Sequence, residues 1–383
     1  MISLFVIQST SFCNLNCNYC YLPEENRKMK NVISLDTVEK ASKLVLQSSL
    51  MPESLTILWH AGEPLSAGVS FYEQALEVIN RNNIHSKELS YSIQTNATLI
   101  NEQWCLFFKK YNFNIGVSID GPGYIHNSNR IGWTGKPSFE KTMEGVNLLK
   151  KHDIELSAIC VINEASLEYP DEIFNFFIEN DFQSLAFNLE EIEGANTVSN
   201  LLNNEGFSKS REKYTKFFKR LLDLWIKSEG AIIIREFNNF INKALKRKDF
   251  SNYTPMLDVS QGLQCITVRT DGKLVAFSPE LATGVKENPD KFVVGDVLNM
   301  EYLEDAYANE NFKYIRSEIN NGIQKCKDSC AYFGLCGGGW PSNKYAENGS
   351  FDSSETKSCS LHTKAVSDVV INGLINRKEF KLC

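Results

Sequence analysis

Six short runs rich in β-branched, aromatic and aliphatic residues recur along the first half of the chain: SLFVIQST, SLTILWH, LSYSIQTN, NIGVSID, ELSAICVI and SLAFNLEE, starting at Ser3, Ser54, Leu89, Asn114, Glu155 and Ser184. In the stretches between them apolar residues return every three or four positions, which predicts helices over 35–49, 72–81, 102–110, 139–152 and 170–180. That alternation predicts parallel strands joined by crossover helices. Six such units are too few to close an eight-stranded barrel. The expected fold class is therefore α/β, an open, partial (β/α)6 barrel over 1–235 with its chemistry at the C-terminal strand ends. From about Gly206 to Lys248 the pattern becomes long and helical, and the polar stretch DFSNYTP follows. A helical linker over 236–260 is expected to lead into a smaller, cysteine-rich domain over 261–383.

Composition narrows the class. With 383 residues, 43% hydrophobic and 23% charged, the chain can bury a large core. No apolar run is long enough to cross a bilayer, and the opening MISLFVIQSTSF lacks a basic n-region and a small-residue cleavage site, so a cytoplasmic location without a membrane partner is expected. A net charge of −7 provides no basic field for nucleic acid. Eleven cysteines would suggest disulfides in a secreted protein. Clustered at short spacings in a reducing compartment, they suggest metal or iron–sulfur ligation.

Cys13, Cys17 and Cys20 stand at CxxxCxxC spacing directly after the first strand-like run. Three thiolates on one loop can hold three irons of a four-iron cubane and leave the fourth open to a chelating small molecule. After the second run, WHAGEPL forms a small-residue turn that lets backbone approach a ligand, and Glu63 offers an acceptor for an ammonium group; by itself the tripeptide is an ordinary turn. In the second half, Cys326, Cys330, Cys336 and Cys359 surround the glycine turn GLCGGGWP. Four thiolates make a closed site for an electron-transfer cluster or a structural zinc. Cys105 and Cys160 fall inside helix and strand patterns and are expected in the core.

The cysteine loop and the turn after it together resemble the radical S-adenosylmethionine (radical SAM) enzymes. The resemblance implies that Cys13, Cys17 and Cys20 bind a [4Fe–4S] cluster whose open iron chelates S-adenosylmethionine, with Tyr19 next to the adenine. It implies that Ala61, Gly62, Glu63 and Pro64, which match the family's GGEP turn with alanine in its first place, contact the methionine amine. Asn96, Ser118, Asp120 and Arg130 match further cofactor-lining segments, with Ser118 at the ribose. Strand-end capping is the alternative for these segments, and a solvated loop charge the alternative for Arg130. The C-terminal half is similar to the SPASM extension of peptide-modifying members. Cys326, Cys330, Cys336 and Cys359 match the ligands of one auxiliary [4Fe–4S] cluster. Cys265 and Gly272 match the opening of another, but Phe277 and Trp340 stand where it needs cysteines. One auxiliary cluster is expected, with Cys265 and Cys383 left over.

The segments CNLNCNYCYLP, WHAGEPL, FNLEEIEG, SPELATG and CAYFGLCGGGWPSNKYAENGSFDSSET resemble the GrrM/OscB-type maturases, relatives of three-residue cyclophane-forming enzymes. This implies a 5′-deoxyadenosyl radical that takes a β-carbon hydrogen from a ribosomally made, possibly glycine-rich precursor peptide, whose carbon radical then joins an aromatic ring. A one-electron reductant such as flavodoxin or ferredoxin is implied as a partner. Glu190, Glu191, Glu193, Glu280 and Asp271 are the candidates for the base that takes the ring proton, each also readable as a solvated surface acid. No peptide-recognition domain is expected ahead of the first strand. The competing readings are a formylglycine-generating sulfatase maturase, a thioether-forming maturase, and a non-catalytic iron–sulfur carrier or zinc protein.

Overall fold

A computed structural model of the chain describes residues 1–203, 205–245 and 257–375. All six strand-like runs are strands: β1 (Leu4–Ile7), β2 (Ser54–Trp59), β3 (Glu88–Thr95), β4 (Asn114–Ser118), β5 (Ser157–Ile162) and β6 (Ser184–Leu189). Four more follow, β7 (Ile233–Ile234), β8 (Cys265–Val268), β9 (Lys273–Ala276) and β10 (Val293–Asp296). They form one open sheet in the order β10-β9-β8-β1-β2-β3-β4-β5-β6-β7. Pairing is parallel from β8 through β7 and antiparallel only at β9 and β10.

The period of two along each strand decides which face does what. Leu55, Ile57 and Trp59 of β2, and Tyr91, Ile93 and Thr95 of β3, are buried beneath the crossover helices. The expected helices are present as Leu35–Leu46, Val69–Asn82, Glu102–Tyr111, Phe139–Lys151 and Pro170–Glu179. An aromatic cluster joins this layer to the sheet, with Tyr72 edge-on to Trp59 at 4.9 Å and to Trp104 at 5.5 Å. The opposite face carries Thr56, Ser90, Ser92, Gln94 and Ser118, all half-buried. One face of the sheet is thus apolar and covered, and the other is a polar floor.

The cysteine-rich unit expected from residue 261 onward begins by extending the first sheet. β8 pairs in parallel with β1, Leu4 opposite Cys265 and Ile7 opposite Val268. The free edge of β1 would otherwise present a row of unpaired backbone groups, and β8 covers it from about 260 residues away in sequence. The long helical tract resolves into the helices Phe207–Lys227 and Arg235–Leu245, with β7 between them on the far edge of the sheet. Residues 246–256 of the expected linker, and Cys383, lie outside the described residues. Downstream, the Glu310–Ser329 helix carries Cys326, and a π-helical turn, Cys359–Ala365, runs into the Val366–Ile375 helix, which packs on Phe207–Lys227. Cys105 and Cys160 are fully buried, as their patterns predict. Among the described residues no helix is long and apolar enough to cross a membrane.

Candidate active site

The loop after β1 is pinned at several points. Cys13 N–H donates to Arg27 O, Asn16 N–H to Ile131 O and Asn18 N–H to Asn129 O, at 2.9, 2.7 and 3.0 Å. Trp133 Nε1 donates to Cys13 O at 2.9 Å, and its ring lies under the Arg27 guanidinium. Burial pushes the Cys17 thiol up to about 11 and also raises Cys20, while Arg130 beside the first and Arg27 beside the second act in the opposite direction. Cys13 is raised further, by burial and by the nearby Glu63 carboxylate, with Cys17 and Cys20 adding to the effect. The three cysteines thus share one loop, Cys13 close enough to Cys17 and Cys20 to feel their charge, and two guanidiniums are placed to favour the Cys17 and Cys20 thiolates.

The WHAGEPL turn packs directly onto this loop. Ala61 and Gly62 both have positive φ, 78° and 61°, and Glu63 N–H donates to Phe12 O at 2.6 Å. A Cβ on Gly62 would sit 2.5 Å from Phe12 O, so only glycine permits the approach. Glu63 is fully buried, and its carboxylate is already engaged: Oε1 accepts from Thr95 Oγ1 at 2.6 Å and Leu65 N at 3.1 Å, and Oε2 from Asn96 N at 2.8 Å. It braces the turn against the end of β3. Asn96 in turn directs Nδ2 to Asn14 Oδ1 at 2.9 Å and toward Cys13 Sγ at 3.9 Å.

Beyond β4, Tyr19, Asp120 and Arg130 form one buried network. The Tyr19 hydroxyl donates to Asp120 Oδ2, Arg130 Nε lies 3.0 Å from the same oxygen, and the guanidinium sits 5.4 Å from the centre of the Tyr19 ring. Val161 N–H fills Asp120 Oδ1 at 3.0 Å. The solvated-charge alternative for Arg130 is thereby overturned: burial demands a partner, and Asp120 supplies it. Ser118 Oγ accepts from Gln94 Nε2 at 2.8 Å on the polar floor.

In the second half, Cys326, Cys330, Cys336 and Cys359 all line one cavity of about 70 Å³, with Lys344 buried beside Cys326. One water-sized occupant needs only about 10–15 Å³, so this space suits a polynuclear cluster better than a lone zinc. Among the described residues no three His, Cys, Asp or Glu side chains gather closely enough to hold a single ion. Phe277, where another cluster would need a cysteine, is fully buried and stacked on Phe312 at 5.3 Å. Cys265 is buried in β8, and Trp340 is 48% exposed. These residues do not fit a further cluster.

A model of the radical SAM superfamily matches residues 7–177. A serine-type anaerobic sulfatase-maturating enzyme of Bacteroides thetaiotaomicron is 30% identical over 87% of this chain and 81% of its own. The chain belongs to the radical SAM superfamily. An uncharacterized protein of Synechocystis is 39% identical over 97% of this chain and 92% of its own. The structure of anSMEcpe with bound AdoMet and the Cp18Cys peptide superposes with a TM-score of 0.78 at 26% identity, covering 98% of both chains. The cofactors of this radical SAM protein are S-adenosylmethionine and [4Fe–4S] clusters, and the Cys13/Cys17/Cys20 loop with its two arginines fits the first of these clusters.

A second cavity, of about 480 Å³, lies between the end of β6 and the cysteine-rich unit. Glu191, Glu280, Arg235, Trp340 and His362 face it, as do two cysteines of the four-cysteine set, Cys336 and Cys359. Burial, with Glu280 and Glu347 nearby, pushes Glu191 up to about 7 against the pull of its Asn343 hydrogen bond at 2.7 Å. Glu190 is half-buried and accepts from Ser199 Oγ at 3.4 Å. The structure separates Asp271 from the rest: it sits at the exposed β8–β9 turn, ion-paired to Arg269 at 2.6 Å, and does not line the cavity. The surface-acid alternative fails for Glu193, which is buried, while Glu191 is half-buried and held by Asn343 of the Pro341–Asn348 helix.

Sequence reasoning missed Arg27, Arg235 and His362. Arg27 lies in the five-residue Glu24–Lys28 helix, whose acidic and basic residues read as surface. His362 was within reach, three positions after Cys359. Its Nδ1 bonds the Tyr214 hydroxyl at 2.6 Å and its Nε2 lies 3.5 Å from Glu236.

Proposed function

We propose that this radical SAM protein is a peptide maturase that joins a β-carbon to an aromatic ring within one ribosomally made precursor peptide, forming a cyclophane. The observation that carries this reading is the composition of the 480 Å³ cavity, which has two thiols of the auxiliary site on one wall and the half-buried carboxyls of Glu191 and Glu280 on another. When bound, the cluster on Cys13, Cys17 and Cys20 and S-adenosylmethionine supply a carbon radical able to take hydrogen from an unactivated β-carbon.

Once the new carbon–carbon bond forms, the ring must lose one electron and one proton to become aromatic again. Cys326, Cys330, Cys336 and Cys359 would hold a cluster that accepts electrons at the cavity wall. Glu191, whose carboxyl burial tunes near neutral pH, is the leading proton acceptor, with Glu280 across the cavity and Glu190 behind. Trp340, half-exposed on the cavity, offers a flat apolar wall for an extended peptide. In this reading residues 1–235 hold the reacting cofactor, 236–260 link, and 261–383 hold the auxiliary cluster, with flavodoxin or ferredoxin as reductant. The peptide bound to anSMEcpe supports a peptide substrate, and the segment resemblances support the cyclophane.

Formylglycine formation is the second reading, favoured by the identity to sulfatase-maturating enzymes. Tandem mass spectrometry of the short peptide encoded beside this protein, after anaerobic co-expression, separates the two. Loss of two hydrogens with fragmentation suppressed between an aromatic residue and one two positions later supports the cyclophane. A hydrazide-reactive, uncrosslinked product supports formylglycine. An unchanged peptide, with S-adenosylmethionine being cleaved, overturns both for that peptide.

A further inference from the structure

Lys344, in the Pro341–Asn348 helix, is a cation only 3% exposed. Its side chain runs along the glycine turn before that helix: a Cβ on Gly339 would lie 3.7 Å from Lys344 Cε, and one on Gly322 would lie 3.0 Å from its Nζ. Gly322 precedes Cys326 by one turn on the same face of the Glu310–Ser329 helix, so a side chain there would crowd the ammonium. Nζ stands behind Cys326, hydrogen-bonded to its sulfur, and the next charges bearing on it are Cys359 and Cys336. It does not line the 70 Å³ cavity; Cys326 stands between them. Nearby lysines are paired differently. Lys325 meets Asp352 at 2.9 Å and Lys364 meets Glu355 at 2.8 Å, whereas among the described residues no carboxylate pairs with Lys344. Two further sulfurs of the set have neutral donors, Gly338 N–H toward Cys336 Sγ at 3.5 Å and Thr356 N–H toward Cys359 Sγ at 3.3 Å.

An ammonium this deep is costly unless a negative group meets it. Four thiolates around a four-iron cluster supply one, because the assembly is anionic and gains one more negative charge when it is reduced. A positive charge beside one of its sulfurs favours the reduced form over the oxidised form and so raises the reduction potential. We propose that Lys344 acts through Cys326 as a positioning residue that makes the auxiliary cluster a better electron acceptor. The inference rests on the electron-accepting role given to that cluster in the cyclophane reading. There the peptide radical left after the new carbon–carbon bond forms is oxidised by one electron, the cluster is reduced by the same electron, and the ring proton leaves to a carboxylate. Lys344 takes no part in the bond changes; its charge offsets the one that arrives.

The test is an anaerobic redox titration with dithionite, followed by paramagnetic resonance, on the full-length chain carrying C13A, C17A and C20A, so that only the auxiliary cluster gives a signal. K344M and K344Q, each checked for about four irons per chain, should move the midpoint to lower potential by about 59 mV or more, a tenfold or greater drop in the equilibrium constant for taking up one electron. K344R keeps the charge and should lie closer to the lysine protein than either. Unchanged midpoints in both neutral variants, or a K344R shift as large as theirs, overturn the role of the Lys344 charge while leaving the cluster intact. Failure of both neutral variants to take up iron also overturns it, because the lysine would then be needed to build the site. Zinc or no iron in the chain that keeps Lys344 overturns the auxiliary cluster itself, and the inference with it.

Discussion

Arg130 and Asp120 are ion-paired at 3.0 Å, with side chains 8% and 1% exposed, and the Tyr19 hydroxyl closes on the same carboxylate. Removing one partner strands a buried charge. R130M is expected to lower unfolding free energy by about 3–5 kcal/mol, whereas R130M/D120L should recover much of that loss, because replacing a whole buried pair costs far less than halving it. Anaerobic urea titration of the two variants checks this. An R130M loss below about 1 kcal/mol would mean that the arginine is solvated.

Glu63 should impose a pH dependence on stability. Its carboxyl, raised by burial against three hydrogen bonds, lies at about 7, above the 4.5 of an ordinary glutamate. A folded pKa above the unfolded one means that the folded state holds the proton more tightly. The stability this contributes is full below about pH 4.5 and is lost as pH rises through 7. At about 1.4 kcal/mol per pH unit the total is about 3 kcal/mol. E63Q does not titrate, so its stability relative to the wild-type protein should rise by about that amount between pH 5 and pH 8. Urea midpoints at the two pH values measure the change, and a parallel pH dependence would refute it.

The two cysteine sets should load independently. Replacing Cys336 and Cys359 by alanine is expected to remove about four irons per chain, and replacing Cys13, Cys17 and Cys20 a different set of about four. Only the latter should abolish spectroscopic changes on adding S-adenosylmethionine. Iron, sulfide and zinc analysis with paramagnetic resonance decides the matter, and stoichiometric zinc in the C-terminal site would refute the auxiliary cluster.

Phe277 fills space that a cluster would otherwise occupy. It is fully buried and stacked on Phe312. F277A should cost about 3–5 kcal/mol through the cavity it opens, with no change in iron content. Iron loss along with stability would show that the ring shields a bound cluster.

The six βα units were legible in the sequence because a parallel sheet with crossover helices repeats two local signals, the strand period and the helix period, which survive without knowledge of neighbours. The CxxxCxxC loop was legible for the same reason, since its three ligands lie within eight residues. What the chain could not reveal locally was anything set by two distant segments meeting. β8 covers the edge of β1 across some 260 residues, and while the β1 run read as a strand, the region of β8 was read only for Cys265. The burial of Arg130 depends on Asp120, and the surroundings of Glu191 and Glu193 on the helix at Ser342 and Asn343. The same chemistry moves Asp271 out of the group of candidate acids, because an adjacent arginine and an exposed turn claim it. Sequence alone determined which local elements and which clustered ligands exist. Tertiary structure decided which charged groups are desolvated and what they face, because the surroundings of a charge are supplied by whichever segments pack around it and not by its sequence neighbours.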